Sequence, residues 1–232
     1  MKIAVMNFSG NVGKSTIARH LLTPRIKGAE LVSVESINAD ESEGDALRGK
    51  DFAQLQQYMQ TVDNLVVDIG ASNVEDLLTL MKKFKGSHED FDYFVVPTVP
   101  DKKQQNDTAT TCQKLVELGV DPSRIKIVFN MVEDDARIEQ VFNALQGFLL
   151  ASKAATFDAN CTLTTNEIYQ LVKHDGRNIA QLAADKTDFK GLIAKAKDQA
   201  EKIELADKLA VKRLACGVLP ELDDCFKALA LA

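Results

Sequence analysis

The chain has 232 residues, a net charge of −6 and a pI near 5.2; 27% of its residues are charged and 45% hydrophobic. Such a length buries an ample core in one domain, with or without a helical appendage, and the acidic balance argues against a protein coated for nucleic acid. No apolar run is long enough to cross a membrane, the N-terminus reads as a strand rather than a signal sequence, and four scattered cysteines (Cys112, Cys161, Cys216, Cys225) lack C-x-x-C spacing, so they read as reduced, buried thiols of a cytoplasmic protein.

Lys2 to Met6 is a short apolar strand. Ser9-Gly-Asn-Val-Gly-Lys-Ser15 follows, and Ile17 to Leu22 opens an amphipathic helix. A strand running through a Gly/Lys/Ser loop into a helix is a phosphate cradle, because successive backbone N–H groups and the helix N-terminus face the anion. Gly10 and Gly13 permit the loop dihedrals, Lys14 supplies a point charge to the terminal phosphates, and the Ser15 hydroxyl can ligate Mg²⁺. The ordinary alternative is a chance Gly-Lys-Ser after a strand.

Ala29 to Ser36 reads as a second strand ending in Glu35-Ser-Ile-Asn38, and Asp40 to Lys50 reads as a polar loop. Phe52, Leu55, Tyr58 and Met59 recur at helical spacing. Asn64 to Ala71 is a buried strand that closes on Asp68 and Gly70, and Val74 to Met81 marks a helix ending in the basic run Lys82 to Lys85. Tyr93 to Thr98 is a strand stopped by Pro97 and Pro100; Asp107 to Leu118 is helical; Ile125 to Asn130 is a strand; Ala136 to Leu150 is a helix. Ala155 to Asp158 reads as a last short strand, with helix from Thr164 almost to the end. Strands alternating with amphipathic helices predict an α/β fold, a doubly wound, mostly parallel sheet with helices on both faces. In such a sheet the ligand sits off the carboxyl ends of the strands. An acid at Asp68 is placed there to hold Mg²⁺ beside Ser15, or else to cap a helix or face solvent in a turn. Asn130 ends its strand with a donor and an acceptor to offer, although asparagine is also a common turn residue.

The loop departs from G-x-x-x-x-G-K-[ST], which asks for glycine where Phe8 stands. It resembles the deviant form of the P-loop (Walker A), K-G-G-x-G-K-[ST]-[ST], of the ParA/MinD ATPases. Gly10, Gly13, Lys14, Ser15 and Thr16 match; Ser9 stands at the signature lysine and Asn11 at a glycine. The resemblance spans roughly residues 1 to 175 and looks nearest to StbB-like plasmid-stability proteins, called TraL in some conjugative systems. It implies a P-loop NTPase core over 1–175, with 176–232 as a helical extension packed on that core in a single overall domain. It implies an ATP/ADP site built from Ser9, Gly10, Asn11, Val12, Gly13, Lys14, Ser15, Thr16 and Asn130, the last at the adenine edge. Lys14, Glu35 and Asp68 are then the catalytic residues, with Glu35 orienting the attacking water, and Ser15 and Asp68 hold Mg²⁺. A guanine reader would carry N-K-x-D, whereas this chain has Asn130-Met-Val-Glu133, which favours ATP.

The function implied is a slow, Mg²⁺-dependent ATPase switch in plasmid stability, positioning and conjugative transfer. Its partners are small plasmid-encoded proteins and, with ATP, a second copy of the chain, and its DNA contact is indirect. The missing lysine at Ser9 implies poor hydrolysis unless another cation substitutes, and Lys102 and Lys103 are the best placed in sequence. Two alternatives stand beside this one: a metabolic P-loop ligase related to dethiobiotin synthetase, for which no acceptor motif is visible, and a nucleotide-binding adaptor without useful hydrolysis.

Overall fold

The computed structural model describes residues 1–34, 49–173 and 175–231. Glu35 and Asn38, assigned above to a strand end, lie outside the described residues, as does most of the polar stretch after them. The chain divides into two compact units, Met1–Thr165 with Asp224–Ala232, and Asn166–Asp223.

The first unit is built on six strands: β1 (Lys2–Val5), β2 (Glu30–Ser33), β3 (Leu65–Asp68), β4 (Tyr93–Thr98), β5 (Ile125–Val132) and β6 (Thr162–Thr164). They lie in the order β2-β3-β1-β4-β5-β6, and every pairing is parallel. From β1 the chain winds out to β2, returns through β3, and crosses to β4 on the other side. β1 therefore sits at the reversal of winding, where a doubly wound sheet opens its ligand crevice. The predicted α/β architecture is the one observed.

Burial on both faces explains the apolar strands. Ala4, Leu65, Val67, Phe94, Val96, Ile127 and Phe129 belong to one buried cluster, while their neighbours Ile3, Val5, Val66, Val95 and Val128 are equally buried outside it. Period-two alternation sends these sets to opposite faces. The clustered face is covered by α2 (Gly49–Met59) through Phe52, Leu55 and Met59, and by α3 (Val74–Lys83) through Val74, Leu77, Leu78 and Met81. It is also covered by α4 (Lys102–Leu118) through Cys112 and Leu115, and by Phe142, Leu145 and Leu149 around α5 (Ile138–Val141) and α6 (Asn143–Ser152). The helix after β1 runs as α1 (Lys14–Thr16) and then in wider π-type turns over Ile17–Leu22, burying Ile17, Ala18, Leu21 and Leu22.

Several boundaries differ from the sequence reading for identifiable reasons. α4 starts a turn and a half earlier than Asp107, because the Asp101 carboxylate caps it by accepting from the backbone N–H groups of Lys103 (2.8 Å) and Gln104 (3.4 Å). The predicted helix over 136–150 is two pieces that meet at Phe142, whose φ of −109° leaves the helical range. The segment 155–158 contributes only a bridge, Thr156 to Lys126; the sixth strand is Thr162–Thr164. Pro97 lies inside β4 rather than ending it. Its carbonyl accepts from the Asn7 side chain at 2.8 Å, on the side where β1 pairing has already stopped, so the missing N–H breaks no ladder bond.

In the second unit, short helices at Ile168–Leu171, Ile179–Ala183 and Phe189–Lys195 precede the long helix Gln199–Ala228, whose last residues return to the first unit. A reciprocal capping box between Asn178 and Gln181 starts the second of these. Three of the four cysteines are buried; Cys216 is exposed, contrary to expectation. No described helix is long and apolar enough to cross a membrane.

Candidate functional site

The site begins with Asn7, one residue beyond the last apolar position of the β1 segment and wholly buried. Burying an amide demands partners, and Asn7 has them on three sides. Its Nδ2 donates to the Pro97 carbonyl (2.8 Å) and to Thr108 Oγ1 (2.8 Å), and its Oδ1 accepts from the Ser9 backbone N–H (2.8 Å). The Phe8 N–H donates to Thr111 Oγ1 at 3.2 Å. The start of the loop is thus pinned to the end of β4 and to one face of α4.

The far side of the loop is pinned by Asn130. Its Nδ2 donates to the Val12 carbonyl at 3.0 Å, and it is buried. A register shift between Phe129 and Val132, with Met131 at a φ of +55°, marks an irregularity in β5 at this point. Bulges of this kind re-aim side chains near functional sites. The residue that the resemblance places at an adenine edge therefore contacts the loop between β1 and the following helix.

Between these two anchors the backbone turns left-handed twice. Asn11 has a φ of +58° and Gly13 a φ of +84°. At Gly13 a Cβ would stand 2.1 Å from Asn130 Nδ2, so only glycine fits while Asn130 holds Val12. Asn11 fills the other left-handed position with the non-glycine residue that tolerates it best. The Phe8 dihedral is not left-handed, and nothing in the loop requires glycine there.

Gly13 is also the N-cap of α1 and provides no side-chain cap. The first intrahelical bond runs from the Ile17 N–H to the Gly13 carbonyl at 2.9 Å, so the N–H groups of Lys14, Ser15 and Thr16 precede the helical ladder. Lys14 is buried, and its Nζ donates to the Ser9 carbonyl at 2.7 Å. The ammonium thus folds back over the loop, within the arc that runs from residue 9 to residue 13. Ser15 and Gly10 are exposed.

Asp68 closes β3 directly beside β1, in register with Val5 on one side and Ser33 on the other. It is buried, and the next residue, Ile69, donates its N–H to the Val5 carbonyl at 3.0 Å. Asp68 and the loop after β1 therefore leave adjacent strands at the same end of the sheet. The oxygens of Asp68 and Ser15 are the hard donors that suit Mg²⁺.

Ser9, at the signature-lysine position, uses its hydroxyl on an acid: Oγ donates to Asp107 Oδ2 at 2.5 Å. The same carboxylate oxygen accepts from Lys103 Nζ at 2.9 Å. The Ser9 bond first, then Lys103, holds the Asp107 carboxyl below its ordinary range. Lys102 has no such link to the loop; it lines a groove of about 530 Å³ with Gln105, Val141 and Phe148. Asp107 and Thr108 lie on the helix that the resemblance places near the nucleotide, whereas Asn7 and Thr111 carry no such sign. For Asn7 the local signal is a lone amide after an apolar strand.

No protein-family model matches the sequence, and no curated protein matches it. Solved structures do. Apo McdA from Cyanothece aligns over 98% of this chain and 97% of its own at 12% identity, with a TM-score of 0.53. The MinD cell division protein of Aquifex aeolicus aligns over 94% and 96% at 12% identity, with a TM-score of 0.52. The pNOB8 ParA aligns over 96% and 98% at 11% identity, with a TM-score of 0.50. The chain therefore has the α/β fold that McdA, MinD and ParA share.

Proposed function

We propose that this protein is an ATP-binding switch, a slow Mg²⁺-dependent ATPase whose nucleotide state is read by partner proteins. The observation that carries the reading is the braced loop between β1 and α1. Its uncapped helix start presents the N–H groups of Lys14, Ser15 and Thr16, and a buried lysine folds over it. A triphosphate would engage such a cluster of donors and positive charge with several charge-assisted hydrogen bonds.

In this reading residues 9 to 16 cradle the phosphates and Lys14 contacts the terminal ones. Ser15 and Asp68 hold Mg²⁺, which would neutralise the phosphate charge during transfer to water. Asn130 keeps the loop shaped for the nucleotide by clasping Val12. Glu35 is the proposed orienter of the attacking water on the resemblance alone. Loss of the γ-phosphate would then release whatever it had ordered, the usual device of nucleotide switches. The resemblance to StbB-like proteins supports a place in plasmid stability, positioning and conjugative transfer, with small partner proteins encoded nearby and a second copy of the chain in the ATP state.

The test is a nucleotide panel. Binding of ATP, ADP and GTP with Mg²⁺ is measured by calorimetry, with the particle mass recorded for each. ATP and ADP bind and GTP binds more weakly; turnover lies well below the ~10 s⁻¹ of a median enzyme. A protein that binds none of the three refutes the reading.

A further inference from the structure

Two charged groups meet at Ser9, and a third stands on one of them. Lys14 Nζ lies on its carbonyl at 2.7 Å, Asp107 Oδ2 on its hydroxyl at 2.5 Å, and Lys103 Nζ on the same Asp107 oxygen at 2.9 Å. A carboxylate at this place is at odds with a phosphate site. It is ionised at any working pH, and at close range it repels each incoming phosphate charge. Anion binding beside Asp107 is favoured by a cation that offsets this carboxylate, and Lys103 stands on it.

Lys103 is also built to move. Its side chain is 77% exposed, and its link to Asp107 is a single i,i+4 ion pair on the first turns of α4, an inherently weak contact. Lysine carries a compact charge on a flexible four-carbon stem, so the ammonium can leave Asp107 without any backbone change. Asp107 then keeps the Ser9 hydroxyl, and the loop stays pinned through Asn7, Thr108 and Thr111.

We propose that Lys103 is the γ-phosphate-sensing cation of this site, held on Asp107 when the loop is empty and drawn to the terminal phosphate when a nucleoside triphosphate binds. This rests on the nucleotide reading of the loop. It adds a cation from the same chain, delivered by α4, where Ser9 provides none. Asp107 is a positioning residue: it keeps the ammonium beside the loop and competes with the phosphate for it. A diphosphate has no γ-phosphate to win that competition, so Lys103 stays where it is. The exposed start of α4 then differs between the two nucleotide states, giving a partner something to read.

The experiment measures dissociation constants of the full chain for Mg²⁺-ADP and for Mg²⁺ with a β,γ-imido ATP analogue. The proteins are the parent, Lys103→Ala, Asp107→Asn and, as an exposed control on the same helix, Lys114→Ala. Lys103→Ala weakens the triphosphate analogue about tenfold and shifts ADP by less than about twofold, as expected for loss of one charge-assisted contact to the γ-phosphate. Asp107→Asn keeps an oxygen for Ser9, releases Lys103, and tightens the analogue more than ADP. The control matches the parent. Equal losses for both ligands in Lys103→Ala, no loss at all, or weaker analogue binding in Asp107→Asn each overturn the proposal while leaving the nucleotide site standing. A parent that binds neither ligand overturns the nucleotide reading and this proposal with it.

Discussion

Replacing Gly13 by alanine tests the construction of the loop apart from any ligand. Two costs arise. Alanine at a φ of +84° sits in the left-handed region, which disfavours a Cβ by about 1–2 kcal/mol. The new Cβ also falls 2.1 Å from Asn130 Nδ2 and 3.3 Å from its Cγ, so the amide must move off the Val12 carbonyl. Losing that buried hydrogen bond costs a further ~1–3 kcal/mol, for a total of roughly 2–5 kcal/mol. Asn130→Ala alone forfeits the same hydrogen bond, about 1–3 kcal/mol. In the double variant the clash is gone and the hydrogen bond is lost only once. Gly13→Ala with Asn130→Ala should therefore be less destabilised than the sum of the singles by about 1–3 kcal/mol. Urea titrations of the four proteins, with an unchanged m-value as the check on comparability, measure this directly. Strict additivity, or a Gly13→Ala cost under about 0.5 kcal/mol, would show that the loop is not wedged between Asn130 and α1.

Lys14→Ala should weaken ATP binding by at least about tenfold with little change in urea stability, because its ammonium lies on a loop carbonyl rather than in the apolar core; unchanged ATP affinity would remove Lys14 from the site. Asp68→Asn keeps the side-chain shape and removes the charge a hard cation needs, so the Mg²⁺ concentration for half-maximal ATP binding rises while metal-free binding holds; overlaid Mg²⁺ titrations would place the metal elsewhere. His20 is buried in the helix after the loop, and burial, with the neighbouring Arg19 charge, lowers its pKa from 6.5 to about 4. The folded pKa is depressed, so the protein suffers no penalty above pH 6.5. As pH falls from 6.5 toward 4 the unfolded chain takes the proton first, and up to about 3 kcal/mol of stability is lost. His20→Gln should flatten that part of the pH–stability curve, and equal slopes in the two proteins would show that His20 titrates normally.

The fold was readable because strand and helix signals agreed along most of the first unit. β1, β3, β4 and β5 are short apolar runs whose ends carry a polar residue, a glycine or a proline, and each falls within a few residues of its expected place. What escaped was long-range or set by a single contact. An N-cap acid at Asp101 is a local sign of where α4 starts, but nothing local says that Phe142 divides one helix into two, or that Thr162–Thr164 rather than residues 155–158 pairs with β5. The clasp of Asn130 on Val12 joins residues 118 positions apart, and the contact of Ser9 with Asp107 joins residues 98 apart. Spacing along a sequence carries no record of such pairs.

The departures from the P-loop pattern separate into two physical kinds. Phe8 and Asn11 look like lost glycines, yet the backbone does not need glycine at Phe8, and at Asn11 it adopts a φ of +58° that asparagine tolerates. Those changes leave the cradle intact, so they say nothing against phosphate binding. Ser9 differs in kind. A long cation is replaced by a short hydroxyl that is committed to Asp107, and no backbone adjustment restores the missing charge. On the nucleotide reading, the geometry of the loop is thus kept while the electrostatics next to a bound terminal phosphate would be altered. Stabilisation of charge developing in the transition state depends on that second property, and an arginine finger in comparable sites is worth about 10³–10⁵ in rate. A protein with a mobile Lys103 in place of a lysine built into the loop should bind ATP well and turn it over slowly, holding its triphosphate state until a partner completes the site.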